Sequence, residues 1–595
     1  MPNNISVSEP TNPFTVISPE NLDAHTAVQL FVDLFSDFPQ VRNPGHSLIF
    51  GARGSGKSMM FRCLLPDVLM LHKNCTFTDL DFLAFHVPIK NTQLRITDLQ
   101  RLDQHHATFL INEHFLTLSL IIEVLHSLKY LEFLPFQESD YRDFFEKMYT
   151  YRLRLCGCTT KCVFRNSSTN DFFETLYDHM LEMHAEFIQY ILQISPDRGV
   201  PVPPYNLQLL TFQGFLVPFF QGLKRLPGFP LKNIYLFIDD ADNLSKTQTQ
   251  ILNAWLATRT QPEISLKVSA QIGKYRSFVS PNGTSVESPH DYQEVNISDK
   301  YTTSRTVYFK RVQAIIEKRL DLAGIRGITP EDYFPPYKKQ EDAVKKEEER
   351  LRAVWEKEGR GHRPGDDALR YARPNYIRDL GGSRKSRSKY MYASFGQLVH
   401  LSSGVIRYFL DCAALMFDET IKVKGPQQSL KYIPHEIQNK IAREKADKMM
   451  FSQFRKLEKD ESVIKGELGV VQKLQNLIFS MGYTFHDILT SDRSERRVFS
   501  IALSNTPTEE IKEVLTFGVQ IGYLHEATIG NKDGTGRTWL YIMNRCLSPL
   551  FVLDPTGFAG YLFVTNEALI RAMYNGKPLR EVYASDEPEQ LTLFD

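Results

Sequence analysis

The sequence predicts an α/β fold in which a parallel sheet comes first, a helical region follows, and a small domain with a β-hairpin comes last. Three observations predict this order. A glycine-rich loop at residues 51–58 lies between a strand-like and a helix-like apolar run. A second apolar run, residues 234–240, ends in two aspartates. Residues 306–325 carry apolar side chains mainly at helical spacing, and residues 523–543 have the pattern of a hairpin.

The composition is that of an ordinary folded chain. Its 595 residues suffice for about three or four domains of usual size. The 70 basic and 70 acidic side chains give a formal net charge of zero, so any contact with nucleic acid must be local. The seven cysteines show no extracellular spacing pattern, and the N-terminus lacks the features of a signal peptide. We therefore expect a cytoplasmic protein, in which the apolar stretch 115–128 is a buried helix too short to span a bilayer.

The loop at residues 51–58 has the complete pattern of a phosphate-binding loop, G-x-x-x-x-G-K-[ST]. Its glycines allow backbone N–H groups to surround a phosphate, and the following helix adds partial positive charge. Lys57 is expected to reach the β- and γ-phosphates, and the Ser58 hydroxyl to hold Mg²⁺. The alternative is a loop that keeps this shape and binds nothing. The predicted nucleotide-binding residues are Gly51, Gly54, Ser55, Gly56, Lys57, Ser58 and Met59.

The apolar run at residues 234–240 predicts the second half of the nucleotide site. It ends in Asp239, expected to hold Mg²⁺ through water, and Asp240, expected to polarise the attacking water. The alternative is a buried strand followed by a helix cap. The two motifs are roughly 180 residues apart, which predicts an insertion at residues 79–213.

Together with a third motif, these segments resemble the AAA+ superfamily, and more closely the initiator-type ATPases related to the origin-recognition complex and the STAND group. The third motif is residues 401–410, where Gly404-x-x-Arg407 resembles the second sensor that opens a lid helix. The resemblance implies a P-loop ATPase core with ATP and Mg²⁺, a helical lid, and an Arg407 that contacts the γ-phosphate. An ordinary helix start with a solvated Arg407 is the alternative. The initiators carry Glu where this chain has Asp240. The shorter Asp is common in the STAND group.

The resemblance also suggests a polar γ-phosphate sensor after the apolar strand Ile264–Ala270. Gln271 is the first candidate and Ser269 the second, while a polar residue that merely ends a strand is equally compatible with the pattern. Arg259, at the end of the preceding helix, is a candidate arginine finger. A cation that interacts with the helix dipole is the simpler interpretation of Arg259.

The chain is predicted to consist of the core at residues 1–300, the lid at 301–455, a winged-helix domain at 456–578 and a tail at 579–595. The lid carries a charged and basic insert at residues 338–390, of which residues 338–358 are predicted to form a solvated helix with i,i+4 ion pairs. Its basic residues alternate with tyrosines, a combination that suits a phosphate backbone and unstacked bases. A solvated charged insert is the alternative. The residues concerned are Arg384, Lys385, Arg387 and Lys389, with Tyr371, Tyr376, Tyr390 and Tyr392.

In the winged-helix domain, Thr506 is the predicted N-cap of the helix before the wing, with Pro507 at its first position. The acids Glu509, Glu510 and Glu513 on this helix would repel phosphates. We therefore expect a protein-facing or structural domain more than one that reads bases.

Two shorter segments are candidates for a metal site and for a partner-binding site. Cys156, Cys158 and Cys162 would need a fourth zinc ligand such as His179 or His184, and three free thiols are the favoured interpretation. The end of the chain resembles the peptide that bacterial replication and repair proteins insert into the sliding clamp, although it could instead fold back on its own chain. The residues that would enter the clamp are Gln590, Leu591, Leu593 and Phe594.

The function expected from these observations is an ATP-binding and ATP-hydrolysing switch of the AAA+/STAND type. It would act in bacterial DNA transactions or anti-phage defence, through a homo-oligomer or a separate effector. The alternative is a slow nucleotide-dependent scaffold that recruits a protein partner without binding DNA. No nuclease, protease or NAD-cleaving motif is recognised in the sequence.

Overall fold

The computed structural model describes most of the chain as two compact units. The sheet unit comprises Ile17–Gly51 and Gly56–Ile297, and the helical unit comprises Met1–Val16, Ala52–Ser55 and Ser298–Asp595. The described residues are 11–32, 38–89, 108–130, 135–164, 168–194, 201, 203–229, 232–258, 264–297, 305–358, 364–381, 389–459, 461, 468–492, 496–530, 536–557 and 560–579.

The sheet unit is built on five parallel strands in the order β2-β3-β4-β1-β5. Nearly all residues of the four strands before β5 are buried, as expected for a parallel sheet covered on both faces. This confirms the predicted parallel sheet. The strands are β1 (Ser47–Phe50), β2 (Phe82–Pro88), β3 (Asn233–Asp239), β4 (Ile264–Ala270) and β5 (Gln293–Asn296).

Helices of very different length accompany this sheet. Phe61, on the helix that follows the phosphate loop, stacks on Phe237 of β3 at 4.6 Å between ring centroids, which fixes that helix to the sheet. The helices are Ala24–Leu30, Phe38–Arg42, Lys57–Cys63, Pro66–Lys73, Thr108–Leu128, Glu138–Asp143, Tyr151–Leu155, Thr169–Gln193, Val217–Leu223 and Lys246–Leu256, with π-helical turns at Phe144–Thr150 and Phe212–Leu216 and 3₁₀ turns at Pro19–Asn21, Phe77–Asp79 and Ala241–Asn243.

The predicted insertion begins too early, because residues 79–213 include a strand of the core. β2 pairs with β3 along its whole length, from Phe82 opposite Asn233 to Pro88 opposite Asp239. Its apolar residues are buried between neighbours that lie far away in the sequence, so local spacing did not separate it from the insertion. The inserted segment therefore follows β2 and is helical in its described parts.

The long helix Thr108–Leu128 belongs to this inserted segment. Among the described residues it is the one helix long and apolar enough to cross a membrane. The predicted stretch of residues 115–128 was too short, because the helix begins at Thr108. The prediction that it is a core helix is confirmed: Phe115 stacks on Phe187, and His114 Nδ1 accepts a hydrogen bond from the Leu210 N–H.

The first part of the helical unit contains the predicted lid. Two predicted helices, at residues 306–325 and 338–358, appear as Arg305–Leu322 and Lys338–Glu358, and the second carries ion pairs such as Arg352–Glu348 at 2.9 Å. The remaining helices here are Pro330–Tyr333, Pro364–Leu380, Phe395–Leu401, Ile406–Lys424, Pro426–Ser429, His435–Asp447 and Phe454–Lys459, with a π-helical turn at Lys448–Gln453.

The last part of the helical unit is the predicted winged-helix domain. Its four strands have the order β7-β8-β6-β9, with β7 and β8 forming the antiparallel wing hairpin and β6 parallel to β9. The strands are β6 (Val498–Leu503), β7 (Leu524–Gly530), β8 (Arg537–Met543) and β9 (Gly560–Val564), and the helices are Val470–Thr490, Glu509–Gln520, Ser548–Phe551 and Asn566–Asn575, with a 3₁₀ turn at Arg545–Leu547.

Two local predictions in the helical unit are wrong. The helix before the wing starts at Glu509, and its N-cap is Thr508, whose Oγ1 accepts a hydrogen bond from the Ile511 N–H, so Thr506 is not the cap. Tyr390 and Tyr392 do not offer their rings to nucleic acid. They are 1% and 0% exposed because they pack on each other inside the unit.

Candidate nucleotide site

The phosphate loop follows β1, an inner strand of the parallel sheet. β1 lies between β4 and β5, and the Gly51 N–H donates to the Ala270 carbonyl at 3.3 Å, which extends the β4 pairing into the loop. Ligands of open parallel sheets bind at the carboxyl ends of the strands. The loop is therefore placed where a nucleotide phosphate is expected.

The backbone of the loop explains its glycines. Gly54 and Gly56 have φ values of 86° and 108°, in the left-handed region that favours glycine. Lys57 begins the helix Lys57–Cys63 and is 7% exposed, and its Nζ donates to the Gly51 carbonyl at 2.8 Å across the loop. The Ser55 Oγ is buried and has no hydrogen-bond partner within the described residues. These features fit a cradle for an anion.

Asp239 ends β3 and is held by polar groups. The Ser269 hydroxyl donates to Asp239 Oδ1, and His86 Nε2 lies 3.4 Å from Asp239 Oδ2. Burial alone would raise the pKa of this carboxyl, but the hydrogen bonds of His86, Ser269 and Ser58 and the charge of His86 lower its pKa to about 2. Asp239 is therefore an anion at physiological pH, beside the hydroxyl of Ser58. These are the two side chains predicted to hold Mg²⁺.

Asp240 differs from its neighbour. It has a φ of 57°, which is uncommon for a residue other than glycine, and it is half-buried where Asp239 is 1% exposed. Its backbone N–H donates to Asp239 Oδ1 and to Ser269 Oγ, each at 3.1 Å. This strained turn separates the two carboxylates, since one is locked in the core and the other is accessible to solvent.

Of the two predicted sensors, Ser269 near the end of β4 is the one that contacts Asp239 and Asp240. The backbone N–H of Gln271 donates to Asp242 Oδ1 at 3.0 Å, which fastens the end of β4 to the turn after Asp240. The role of the Gln271 side chain as a γ-phosphate sensor stays a prediction.

His86 is a member of this site that the sequence did not indicate. It lies on β2, the strand that was assigned to the insertion, and only the pairing of β2 with β3 brings it to Asp239. Burial raises the pKa of Glu123 on the helix Thr108–Leu128, and the charge of His86 acts in the opposite direction on that pKa. The one feature of the sequence that could have indicated His86 is that it is a polar residue within an apolar run. This pattern is too common to identify a site residue.

Arg407 lies against the phosphate loop within the helical unit. It is in the first turn of the helix Ile406–Lys424, and its backbone N–H donates to the Gly54 carbonyl at 3.1 Å. The contact is close enough that a Cβ atom on Gly54 would lie 2.6 Å from Arg407 Cβ. The residue predicted as second sensor is thus placed at the loop.

The remaining predicted residues are not among these contacts or lie outside the described residues. Within the described ranges no group of three or more His, Cys, Asp or Glu side chains is arranged to hold a metal ion, and Cys156 and Cys158 are free thiols whose pKa values are raised by burial. Lys389 is exposed. Outside the described residues lie Arg259, Arg384, Arg387, Lys385, Gln590, Leu591, Leu593 and Phe594.

Comparisons with known proteins find solved structures and a protein family that match most of this chain. A search of curated proteins finds no match. Among solved structures, the chain is similar to the ORC2 protein of Aeropyrum pernix in its ADPNP–ADP complexes, with 10% identity, coverage of 96% of this chain and 98% of that chain, and a TM-score of 0.32. It is also similar to Cdc6p of Pyrobaculum aerophilum, with 14% identity, coverage of 91% and 95%, and a TM-score of 0.26. A third similarity, to the ORC1 protein of Aeropyrum pernix in complex with DNA, has 10% identity, the same coverage and a TM-score of 0.25.

All three TM-scores lie below 0.5, so the assignment rests on the match to a protein family. The family described as ORC-CDC6-like matches residues 12–563, which is nearly the whole chain. This family consists of initiator-type AAA+ ATPases, in agreement with the phosphate loop, the acidic strand end and the winged-helix domain. The chain therefore belongs to the ORC-CDC6-like family and is an AAA+ ATPase.

Proposed function

We propose that this ATPase is a molecular switch whose output is a change in conformation, driven by ATP binding and hydrolysis. The observation that carries the proposal is the contact between Arg407 and Gly54, because it joins the lid helix directly to the phosphate loop. A change in the loop on nucleotide binding would displace the first turn of that helix. By its resemblance to the second sensor, Arg407 would read the γ-phosphate.

The residues around Asp239 fit a bound Mg²⁺. Mg²⁺ prefers oxygen ligands, and the Ser58 hydroxyl and the ionised Asp239 carboxylate supply two of them side by side. When bound there, Mg²⁺ would neutralise charge on the phosphate oxygens. Ser269 keeps Asp239 in place by its hydrogen bond.

Lys57 and Asp240 would carry out the hydrolysis. Lys57 is buried at the base of the loop, where its ammonium would stabilise negative charge on the β- and γ-phosphates. Asp240 is accessible, so its carboxylate would orient and polarise a water molecule for attack. Asp is one methylene shorter than Glu, and slow turnover is expected if the water is held at a greater distance.

The setting that we propose is bacterial or archaeal DNA transactions in the cytoplasm, with anti-phage defence as a specific form. DNA would be held by the basic residues Arg384, Lys385, Arg387 and Lys389. A sliding clamp would receive the terminal segment that contains Gln590 and Phe594. The active form would be a homo-oligomer or a complex with a separate effector protein.

The test is steady-state ATP hydrolysis by the purified chain, with and without duplex DNA, and with Lys57→Ala as the blank. We expect hydrolysis that requires Mg²⁺ and is absent in the variant. Stimulation by DNA would support the setting in DNA transactions. Equal rates in the wild type and in Lys57→Ala would contradict the assignment of hydrolysis to this loop.

A second function, a nucleotide-dependent scaffold for a protein partner, is favoured by two observations in the helical unit. The buried rings of Tyr390 and Tyr392 remove half of the aromatic surface expected in the basic insert. The helix before the wing begins with Glu509 and Glu510, which pair with Lys512 and Lys473 at 2.6 Å each, so these acids neutralise lysines that could otherwise contact a phosphate. ATP-dependent assembly without DNA stimulation would favour this function.

A further inference from the structure

The turn before Arg407 contains a strained residue that the ATPase site does not account for. Ser403 has a φ of 52° and is 1% exposed, directly before Gly404 with a φ of 81°. A left-handed conformation is unfavourable for serine, and such positions persist where surrounding contacts hold them. The Ser403 backbone N–H donates to the His400 carbonyl, which closes the end of the helix Phe395–Leu401.

The side chain of Ser403 is held by the winged-helix domain. Its Oγ accepts a hydrogen bond from the Arg545 backbone N–H at 3.2 Å and lies 3.1 Å from His525 Nε2 on β7. His525 has a pKa lowered to about 4 by burial and by the charge of Arg545, so it is neutral at pH 7. Its Nε2 can then accept a hydrogen bond from the Ser403 hydroxyl. That hydroxyl therefore both donates and accepts a hydrogen bond.

The groups that hold Ser403 are themselves well fixed. Arg545 is 2% exposed, and its guanidinium donates to the Pro555 and Gly557 carbonyls at 3.2 and 2.7 Å. The β7 strand that carries His525 is paired with β8 from Leu524 to Gly530. Ser403 is therefore fastened to a rigid part of the wing domain rather than to a loose side chain.

Three residues separate Ser403 from Arg407, which makes the phosphate-loop contact. The Val405 N–H donates to the Ser402 carbonyl, and the Arg407 N–H donates to the Gly54 carbonyl, all within the helical unit. A change of the Ser403 backbone toward an ordinary conformation would rotate the start of the helix Ile406–Lys424. Arg407 would then leave its position at Gly54.

We propose that Ser403 is a positioning residue, through which the winged-helix domain sets the placement of Arg407 at the phosphate loop. The inference deepens the proposed switch and rests on it, since it takes Arg407 as the residue that distinguishes ATP from ADP. A protein or nucleic acid that moves the wing hairpin would change how well the site retains ATP. Neither the family match nor the motif around Arg407 indicates this serine.

The test compares the affinities for ATP and ADP in four variants, with the non-hydrolysed analogue ADPNP in place of ATP. Ser403→Gly keeps the left-handed conformation and removes the hydroxyl, while His525→Leu removes the partner on β7. Ser402→Ala is the matched control, because Ser402 is a buried neighbour whose hydroxyl donates to Val399 within the same turn. His525→Gln is the conservative variant, since its amide can still hydrogen-bond to Ser403.

We expect Ser403→Gly and His525→Leu to lower the ratio of ADPNP affinity to ADP affinity about tenfold, with ADP affinity unchanged because the loop and Lys57 are intact. His525→Gln should restore most of the ratio, and Ser402→Ala should leave it unaltered. An unaltered ratio in folded Ser403→Gly and His525→Leu, or an equal loss in Ser402→Ala, would overturn the inference. Failure of the wild type to hydrolyse ATP would instead contradict the proposed function and leave this ratio measurable.

Discussion

Asp239 is a residue of the sheet unit on which four polar groups converge. Ser269 and His86 contact its carboxylate, Asp240 donates its N–H to it, and Ser58 contributes to the depressed pKa. Each of these groups stabilises the anion, so the carboxylate is ready for a cation without a change of protonation. Asp240 is only half-buried, whereas Asp239 is 1% exposed, and the two acids can therefore have different roles.

The sequence allowed all of these residues except His86 to be named as candidates. The loop, Lys57, Ser58, Asp239 and Asp240 belong to short contiguous patterns whose chemistry depends on local spacing. His86 and Ser269 reach Asp239 only through the lateral pairing of strands, and the pairing partner of a strand is not encoded in its own residues. Ser269 was the second candidate because the sensor was expected at the polar residue where the apolar strand ends, which is Gln271, whereas Ser269 lies within β4.

At the phosphate loop, we predict that Gly54→Ala is far more damaging than Gly45→Ala. Both glycines have left-handed φ values, so each alanine costs about 1–2 kcal/mol of backbone strain. A Cβ at Gly54 would also lie 2.6 Å from Arg407 Cβ, whereas a Cβ at Gly45 has no atom within 4 Å. ATP hydrolysis should fall more than tenfold in Gly54→Ala and less than twofold in Gly45→Ala. Similar rates in the two variants would refute the importance of the contact with Arg407.

His46 makes the stability of the sheet unit depend on pH. Its Nδ1 accepts a hydrogen bond from the Leu266 N–H, and burial followed by the charge of Lys267 lowers its pKa to about 4. In the unfolded chain His46 is protonated near pH 6.5, whereas in the folded chain it is protonated only near pH 4. The contribution of His46 to the free energy of unfolding is therefore complete above pH 6.5 and is lost as the pH falls toward 4.

From pH 7 to pH 5 the loss from His46 should be about 2 kcal/mol. His46→Asn, whose side-chain oxygen can accept the same hydrogen bond, should lose less stability over this interval. Denaturant unfolding at both pH values measures the difference. An identical pH dependence of the two proteins would show that His46 is not the group responsible.

At the scale of elements, helices were predicted well and their ends less well. Lys338–Glu358 and β4 agree with the predicted bounds because charge and apolar patterns begin and end sharply there. β2 was missed because a short, mainly apolar run such as Phe82–Pro88 does not distinguish a core strand from a piece of an inserted helix. Helix caps depend on which of two nearby threonines takes the extended backbone conformation, and the sequence Thr-Pro-Thr is compatible with both.

The cap of the wing-domain helix gives a direct prediction. Thr508→Ala should destabilise the winged-helix domain by about 1 kcal/mol, since the Ile511 N–H loses its acceptor. Thr506→Ala is the control, because Thr506 takes part through its backbone carbonyl, which accepts from Asn566 Nδ2. Thermal unfolding should separate the two variants. A larger effect from Thr506→Ala would restore the original assignment of the cap.

At the scale of the whole molecule, the neutral net charge requires any DNA contact to be local. We predict that replacing Arg384, Lys385, Arg387 and Lys389 by alanine weakens duplex binding and flattens its salt dependence, since each lost phosphate contact lowers the slope by about 0.9. The control replaces four exposed lysines of the helix Lys338–Glu358, which are Lys338, Lys339, Lys345 and Lys346. Equal weakening in both variants would indicate a general charge effect.

The terminal segment gives a test of the clamp proposal. A peptide of residues 585–595 should bind a purified bacterial sliding clamp, and the same peptide with Leu593→Ala and Phe594→Ala should not, because the apolar side chains fill the groove. Fluorescence anisotropy of the labelled peptide gives both affinities. Absence of binding at high micromolar peptide would remove the clamp from the set of partners.

The order of the parallel sheet has a consequence for synthesis on the ribosome. β1 pairs with β4 and β5, and the residues that pair with Ser47, which are Lys267 and Gln293, lie 220 and 246 residues later in the chain. At about 5–20 residues per second, the ribosome needs roughly 12–50 s to add them. During this interval the apolar strand before the phosphate loop has neither neighbour, so nascent chains that stall before residue 296 would expose it to aggregation and to chaperones. The capacity to bind a nucleotide is thus acquired late, after half of the polypeptide has been made.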